Sequence, residues 1–206
     1  MSTRTRTRTV TVACAAVALL TGSVIAAHAE TAAAPPLCMG TVSTVWGGAG
    51  ADTVNTGATK DVVNVLAGND QVDTGGNADV ICGGTGRDTL LAGEGDDLAA
   101  GGIGADDVRG YGGADRVRGN AGNDSVQGNG GNDTVDGGDG SRFTLNWGND
   151  VLRGGPGKDL LRGSAGDDTI YAQDGEADIV RGYAGNDTCW VERNDVVTGC
   201  EVVHIG

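Results

Sequence analysis

Aliphatic positions recur every nine residues between glycine-rich polar segments through residues 83–136 of the 206-residue chain. Six units follow one another without a gap, and all but the second have a branched aliphatic residue at the eighth position. These residues are Leu90, Val108, Val117, Val126 and Val135, with Ala99 in the second unit. The pattern predicts a tight turn followed by a three-residue strand whose middle side chain faces an interior.

The turn of each unit has glycine at its fourth position and aspartate at its sixth. So tight a turn needs positive φ at several positions, which glycine and, at some cost, asparagine adopt. We expect Asn120, Asn123, Asn129 and Asn132 to take this conformation. One unit alone buries little apolar surface, so a repeat this short favours the stacked coils of a solenoid.

These units resemble the glycine-rich nonapeptide repeat, GGxGxDxUx, of the RTX or haemolysin-type calcium-binding family. The resemblance implies an all-β fold, a right-handed parallel β-roll (a β-solenoid) with capped ends, in which two repeats form one coil. It also implies calcium ions between turns on the same edge, held by aspartate side chains and turn carbonyls from repeats two apart. The candidate metal ligands are Asp52, Asp70, Asp88, Asp97, Asp106, Asp115, Asp124, Asp133, Asp150, Asp159, Asp168 and Asp187.

Elementary electrostatics supports a cation at these turns. Adjacent coils of such a roll lie about 4.8 Å apart, so stacked carboxylates repel by roughly 0.8 kcal/mol per pair even in water. Calcium suits an oxygen-rich site of loose geometry better than magnesium does. The alternative is a solvated acidic face, and the strict nine-residue register of six aspartates argues against it.

The register begins at Gly47 and is uneven at first. Thr59 and Asn77 stand where the fourth-position glycine is expected, and residues 65–70 lack both leading glycines. We interpret these turns primarily as structural parts of the roll rather than as calcium sites.

Beyond the sixth unit the register breaks. Arg142 takes the sixth position of the next unit, and the pattern resumes one residue early at Asp150. We expect Arg142 to bridge aspartates such as Asp124, and Phe143 and Trp147 to form a bulge or exposed patch. The interruption predicts two cooperative segments of the array.

Four segments are predicted along the chain. They are a signal peptide (1–29), a linker and N-terminal cap (30–46), the calcium-binding repeat roll (47–190, irregular at 137–149) and a C-terminal cap (191–206). The first segment has the basic start, apolar stretch and small-residue cleavage site of a secretory signal. In the N-terminal cap, Val45 takes an aliphatic position and Trp46 is expected to cover that end. We therefore expect a soluble, exported, extracellular protein.

Four cysteines, Cys38, Cys82, Cys189 and Cys200, remain after export. An exported location favours disulfides, and four cysteines allow three pairings. We favour Cys38 with Cys82 and Cys189 with Cys200, because each bond then fastens one end of the array. Metal binding by these thiols is the weaker alternative, since no CxxC spacing occurs.

Composition alone places the chain near the disordered class, with 39 glycines, 3% aromatic residues and a net charge of −14. The periodicity overrides that expectation. Removal of the signal peptide takes away three arginines and no acidic residue, which leaves a net charge of −17. So acidic a chain argues against a nucleic-acid partner.

Catalytic motifs are missing from the sequence, and the predicted mature chain has a single histidine, His204, in its tail. We expect a secreted calcium-binding roll that folds as Ca²⁺ binds, and no enzyme. The alternative is an extracellular interaction or surface-layer scaffold in which calcium only sets the shape. Outward-facing arginines at the ninth position would then meet an acidic polysaccharide, although they also offset the aspartates. These arginines are Arg109, Arg118, Arg153, Arg162 and Arg181.

Overall fold

The computed structural model describes residues 37–138 and 148–206, and every regular element in those residues is a β-strand. The strands are β1 (Leu37–Cys38), β2 (Thr41–Val42), β3 (Val45–Trp46), β4 (Thr53–Asn55), β5 (Val62–Asn64), β6 (Gln71–Asp73), β7 (Val80–Thr85), β8 (Thr89–Glu94), β9 (Leu98–Ile103), β10 (Asp107–Gly112), β11 (Arg116–Ala121), β12 (Ser125–Gly130), β13 (Thr134–Asp136), β14 (Val151–Arg153), β15 (Leu160–Ala165), β16 (Thr169–Tyr171), β17 (Ile179–Ala184), β18 (Thr188–Val191), β19 (Val196–Thr198) and β20 (Val202–Ile205). In this part of the chain no helix is long and apolar enough to cross a membrane. The predicted signal peptide, the linker up to residue 36 and Arg142, Phe143 and Trp147 lie outside the described residues.

Apart from the antiparallel pair of β1 and β2, the strands form two parallel nine-stranded sheets. We call them the odd sheet (β3 to β19) and the even sheet (β4 to β20) after the numbers of their strands. Each strand pairs with strands two places away in the chain, as Val108 pairs with both Leu90 and Val126. One coil therefore gives one strand to each sheet, and the predicted all-β parallel β-roll is confirmed. Its right-handedness stays a prediction.

The core of the roll consists mainly of one row of eighth-position side chains from each sheet, to which a few first-position side chains such as Val65 and Ala172 are added. Leu90, Val108 and Val126 are fully buried in the even sheet, and Val117 and Val135 are fully buried in the odd sheet. Because side chains alternate along a strand, the seventh and ninth positions face outward. Burying one valine or leucine stabilises by roughly 1.5–3 kcal/mol, so each coil gains only about two such contributions.

The register break after Asp136 is an insertion within one turn. Val135 pairs with Leu161, and the backbone N–H of Asp124 donates to Asp150 Oδ1 at 2.8 Å across a separation of 26 residues. Asp150 therefore takes the sixth position in the coil above Asp124, as Asp124 does above Asp106.

Gly137 and Gly148 flank the insertion as the first and fourth positions of the Asp150 turn. A Cβ on Gly137 would contact Asp150 Oδ2, and Gly148 donates its N–H to the Ala165 carbonyl at 3.0 Å. Residues 139–147 separate these two glycines in the sequence, and they lie outside the described residues, as does the predicted role of Arg142. Both sheets continue across the insertion.

At the N-terminal end, Val45 pairs with Val63, so β3 already occupies an aliphatic position of the roll. Trp46 pairs with Asn64 at the ninth position and therefore faces outward rather than over the end. Cys38, on β1, is joined to Cys82 by a disulfide, and Asn64 Nδ2 donates to the Leu37 carbonyl at 2.9 Å. The hairpin of β1 and β2 is thereby fastened to the outer face of the odd sheet.

The tail assigned to a C-terminal cap forms the last coil of the roll. Strand β19 pairs with β17, and β20 pairs with β18. The second predicted disulfide, Cys189 with Cys200, joins this coil to β18 and is confirmed, as is the first. Val203 takes an eighth position in β20 and is 43% exposed, because it lies at the end of its row.

We predict that replacing residues 139–147 with a single asparagine preserves the roll. The loop-closure term falls by about 0.6 kcal/mol for each halving of length, or up to about 2 kcal/mol in all. Thermal unfolding followed by circular dichroism in calcium should give an unchanged or higher Tm. A nine-residue Gly/Ser replacement is the control, expected to match the native chain. Loss of the β-signal in the shortened chain alone would show that the inserted residues hold the coils together.

Candidate metal centre

Sixth-position carboxylates stack in two columns, one along each edge where the chain passes between the sheets. Column A lies where the chain passes from the odd to the even sheet, and column B where it passes back. Column A contains Asp52, Asp70, Asp88, Asp106, Asp124, Asp150, Asp168 and Asp187, and column B contains Asp61, Asp79, Asp97, Asp115, Asp133, Asp159 and Asp178. All twelve predicted ligands therefore occupy equivalent places.

Within each column, a carboxylate oxygen holds the preceding coil. Asp106 Oδ1 accepts the backbone N–H of Asp88 at 2.9 Å, and Asp124 Oδ1 accepts that of Asp106 at 2.9 Å. The same bond recurs along both columns, and the acceptors beyond the first coils are almost fully buried. Each aspartate thus satisfies a turn amide that has no strand partner.

Two acidic residues of the tail complete the columns, and sequence reasoning missed them. Asp195 Oδ1 accepts the N–H of Asp178 at 3.0 Å, and Glu201 Oε2 accepts that of Asp187 at 2.8 Å. Asp195 follows no glycine, and Glu201 follows a single positive-φ glycine, Gly199, in place of the usual glycine-rich turn. The available signal was an acidic residue two places before an aliphatic one, since Val197 follows Asp195 and Val203 follows Glu201.

The second carboxylate oxygen of most of these aspartates is buried and has no hydrogen-bond partner. The atoms are the Oδ2 of Asp70, Asp79, Asp88, Asp97, Asp106, Asp115, Asp124, Asp133, Asp159, Asp168, Asp178 and Asp187. Leaving a buried polar group unsatisfied costs about 1–3 kcal/mol, and more for a charged group. A recurrent set of such oxygens indicates that another group completes the turns.

A glycine at the first position puts bare backbone beside this unpaired oxygen, and we call the place that a side chain would take there the first-position hollow. A Cβ on Gly101 would lie 2.5 Å from Asp106 Oδ2 and 2.8 Å from the Gly119 carbonyl oxygen. An anionic oxygen and a carbonyl oxygen from the next coil therefore face the same space. Glycine occupies this position in the turns of Asp52, Asp88, Asp106, Asp115, Asp124, Asp133, Asp150, Asp159, Asp168 and Asp187. In the turns of Asp70 and Asp97 the first position is Val65 and Ala92.

The donor set fits calcium provided that the backbone supplies part of it. Within the described residues, no three His, Cys, Asp or Glu side chains come together closely enough to hold a metal ion. A site here must therefore combine carboxylates with turn carbonyls. Calcium accepts about 6–8 oxygen ligands in flexible geometry, including backbone carbonyls, so this chemistry suits it.

Backbone packing in the turns requires glycine at the fourth position. Gly104 has φ of 155°, and a Cβ there would collide with the Gly86 carbonyl of the preceding coil. Asn77 replaces this glycine with φ of 81°, as asparagine can. The neighbouring coils thus approach each other through bare backbone, which leaves carbonyl oxygens near the carboxylates.

The asparagines divide into two groups. Asn120 and Asn129, at the second position, have φ of 73° and 74°, as predicted. For Asn123 and Asn132 the prediction of positive φ is wrong. Their side chains instead accept backbone N–H groups of the next coil, such as Asn149 N to Asn123 Oδ1 at 2.9 Å.

Burial disfavours the ionised form of the column carboxyls. It raises the pKa of Asp106 and Asp115 to about 7 and that of Asp150 to about 8, and neighbouring aspartates of the same column raise these pKa values further. The N–H donor from the preceding coil acts in the opposite direction. Near neutral pH the columns therefore favour either a proton or a bound cation.

The comparison with protein families agrees with this geometry. A family model described as the RTX calcium-binding nonapeptide repeat (4 copies) matches most of the chain. The matched segments are 43–63, 56–90, 73–108, 83–117, 109–143, 145–176 and 174–195. They include every aspartate of both columns, whereas Glu201 lies beyond the last segment. A search of curated proteins returned no match.

We predict that the calcium-stripped roll becomes less stable as the pH rises. The folded-state pKa values of about 7 for Asp106 and Asp115 exceed the ordinary 3.8, so the folded chain binds more protons than the unfolded chain in that interval. Stability to unfolding should therefore fall between about pH 4 and pH 8. Urea unfolding of the stripped chain at pH 5 and pH 8 measures this. Greater stability at pH 8 would contradict it.

Proposed function

Because the chain belongs to the RTX calcium-binding nonapeptide repeat family, we propose that it is a secreted calcium-binding protein whose roll folds as the ions bind. The observation that carries the proposal is the recurrent unpaired Oδ2 beside a first-position hollow, as at Asp106 and Gly101. In this proposal the ions lie between successive turns of one column. Asp52, Asp70, Asp88, Asp97, Asp106, Asp115, Asp124, Asp133, Asp150, Asp159, Asp168 and Asp187 contribute the carboxylates, and turn carbonyls complete the sites.

Calcium and folding are coupled because the columns exist only in the coiled chain. In the unfolded chain the carboxylates are hydrated and separated, so they have neither a shared cation nor a mutual repulsion. Bringing them together without a cation opposes folding, and an ion that binds only the coiled state adds stability by mass action. Extracellular calcium modules bind with Kd of about 10⁻⁴ to 10⁻³ M, which is the range we expect here.

Secretion is supported by the two disulfides and by the sequence of residues 1–29. Disulfides persist in oxidising compartments and are rare in the cytosol. Cys38–Cys82 and Cys189–Cys200 fasten the first and last coils. Millimolar calcium outside the cell would then fold the roll after export.

We further propose a binding role rather than catalysis. The carboxylates are already used by the columns, where periodicity explains their number. His204, the histidine of the tail, stacks on Trp190 with ring centroids 4.0 Å apart. This ring stack joins the last two coils of the even sheet, which accounts for the histidine without a catalytic task.

The arginine contacts favour an intramolecular role over a polysaccharide surface. Arg109 pairs with Asp107 at 2.7 Å, and Arg118 and Arg162 lie on either side of Asp136 at 3.7 and 3.1 Å. Arg153 stacks over the ring of Tyr171 at 4.7 Å. The ninth-position arginines are also divided between the two sheets, so they do not form one continuous cationic face. Acidic polysaccharide and scaffold roles remain the alternative proposal, which a glycan array in calcium would test.

We predict that Asp106→Asn acts in opposite directions with and without calcium. In chelator, the amide oxygen can still accept the Asp88 N–H while a buried charge is removed, so the variant should be the more stable. In calcium, loss of the anionic Oδ2 should raise the calcium midpoint at least about tenfold, which corresponds to about 1.4 kcal/mol. Calcium titration followed by circular dichroism, with urea unfolding in chelator, measures both effects.

The matched control is Asp61→Asn. Asp61 is first in column B, is partly exposed, and already accepts the Thr59 hydroxyl at 2.7 Å. Its substitution should shift the calcium midpoint little. Equal shifts in the two variants would show that turn position does not matter, and a chain with no calcium response at all would overturn the proposed function.

A further inference from the structure

Some turns have a side chain where others have the first-position hollow. The residues are Thr56, Val65, Thr74, Ala92, Ala172 and Val191. All six side chains are buried, and Val65, Thr74 and Ala92 are completely so. The first three belong to consecutive turns near the N-terminal end, which makes this part of the roll different from the rest.

Thr74 occupies its hollow with a hydroxyl. Its Oγ1 donates to the Ala92 carbonyl at 2.7 Å. Ala92 is the first-position residue of the next coil in column B, so this carbonyl corresponds to that of Gly119 beside the hollow at Gly101. Thr56 Oγ1 donates in the same way to the Thr74 carbonyl at 3.4 Å. The threonine hydroxyls therefore partner carbonyl oxygens that glycine turns leave facing the hollow.

Val65 occupies its hollow with apolar surface. It joins Val54, Val63 and Val72 in the core, so this coil buries one more branched side chain than a glycine turn can. Valine also restricts the unfolded chain more than glycine does. Both effects stabilise these coils without a ligand.

Charge in this part of the roll is also better compensated. Asp52 Oδ2 accepts the Gly48 N–H at 2.7 Å, and Asp61 accepts the hydroxyl of Thr59. Up to residue 82, Asp70 and Asp79 are the two column aspartates with an unpaired oxygen, whereas ten column aspartates beyond it have one. The Cys38–Cys82 disulfide closes the same segment.

We propose that residues 37–82, which we call the start segment, form coils that need no calcium in the Thr56, Val65 and Thr74 turns, and that serve as the template for the calcium-dependent coils. Strands β6 and β7 then present their edges to β8 and β9, and each later coil adds by pairing and ion binding. The inference rests on the proposed calcium function for the later turns. It departs from the ligand set given above at Asp70, which takes a structural role, as Asp79 does. The same holds for Asp97, whose first position is filled by the buried Ala92.

Hydrogen exchange of the full-length, disulfide-bonded chain in chelator tests the template. We expect slow exchange in β5, β6 and β7 and fast exchange in β10, β11 and β12, with protection spreading to the latter on calcium addition. Uniform exchange in chelator, with calcium-dependent protection everywhere, would overturn the start segment but leave the proposed function intact. Absence of any calcium effect would overturn both.

Reciprocal variants in column B test the replacement of an ion by a side chain. Thr74→Gly opens a hollow and should bind one more calcium ion than the native chain, with faster exchange of β5 to β7 in chelator. Gly110→Thr closes the hollow beside Asp115 and should bind one ion fewer. Native mass spectrometry or equilibrium dialysis gives the number of ions.

Thr74→Ala is the matched control, because its methyl group still fills the space but cannot donate a hydrogen bond. It should bind the native number of ions and lose only part of the protection in chelator. An unchanged ion count in Thr74→Gly would overturn the idea that a side chain replaces the ion. This result does not depend on whether Gly110→Thr folds. An extra ion in Thr74→Ala would do the same.

Discussion

The bond from a turn aspartate to the backbone of the preceding coil is the interaction on which the roll depends. At Asp106 one carboxylate oxygen accepts the Asp88 N–H, and the other is left buried and unpaired. An acidic side chain fixed at one place in each repeat gives this arrangement, and it is aspartate in every coil of column A except the last, where Glu201 makes the bond. The bond that sets the coil spacing therefore also leaves a buried carboxylate oxygen unpaired, and a bound cation would neutralise its charge. Structure and ion binding are two consequences of one side chain.

Backbone contact between coils follows from the same spacing. Because Asp106 and Asp88 are held one strand apart, the turns between them must stack with nothing but backbone at the fourth position. Gly104 meets this requirement, because it packs directly against the Gly86 carbonyl and leaves no room for a Cβ. The chain gives up side-chain contacts in these turns, so little apolar burial is left to oppose the repulsion of the columns. The high glycine content and the acidity, which in composition alone are typical of disordered chains, are thus both consequences of tight coiling.

Much of the fold could be predicted because a repeat multiplies a weak local signal. Eighth-position residues such as Val108 and Val126 identified the core, and the placement of cysteines at the two ends identified both disulfides. The continuation of both sheets across the insertion was not predicted, because counting along the chain cannot show that Gly137 and Gly148 belong to one turn. In the tail, Glu201 follows a single glycine, Gly199, and stands where the other coils of column A have aspartate, so its place in the column was established by its bond to the Asp187 N–H. The difference between Val65 and Gly101 was visible in the sequence, but its meaning depended on which atoms face the first position.

The coils at the two ends of the chain are stabilised in different ways against the repulsion between the column carboxylates. Near the N-terminal end, side chains such as Thr74 occupy the space that glycine leaves open further along. At the C-terminal end, Glu201 supplies the carboxylate in place of an aspartate, and Cys189–Cys200 ties that coil to its neighbour. Between them lie coils with two buried aliphatic side chains each and uncompensated carboxylates. Since a solenoid is stabilised by contacts between neighbours, packing and disulfides fasten the two ends, and the proposed calcium response then falls on the middle coils. Under that proposal, the order of the roll along its length is controlled by where glycine is replaced.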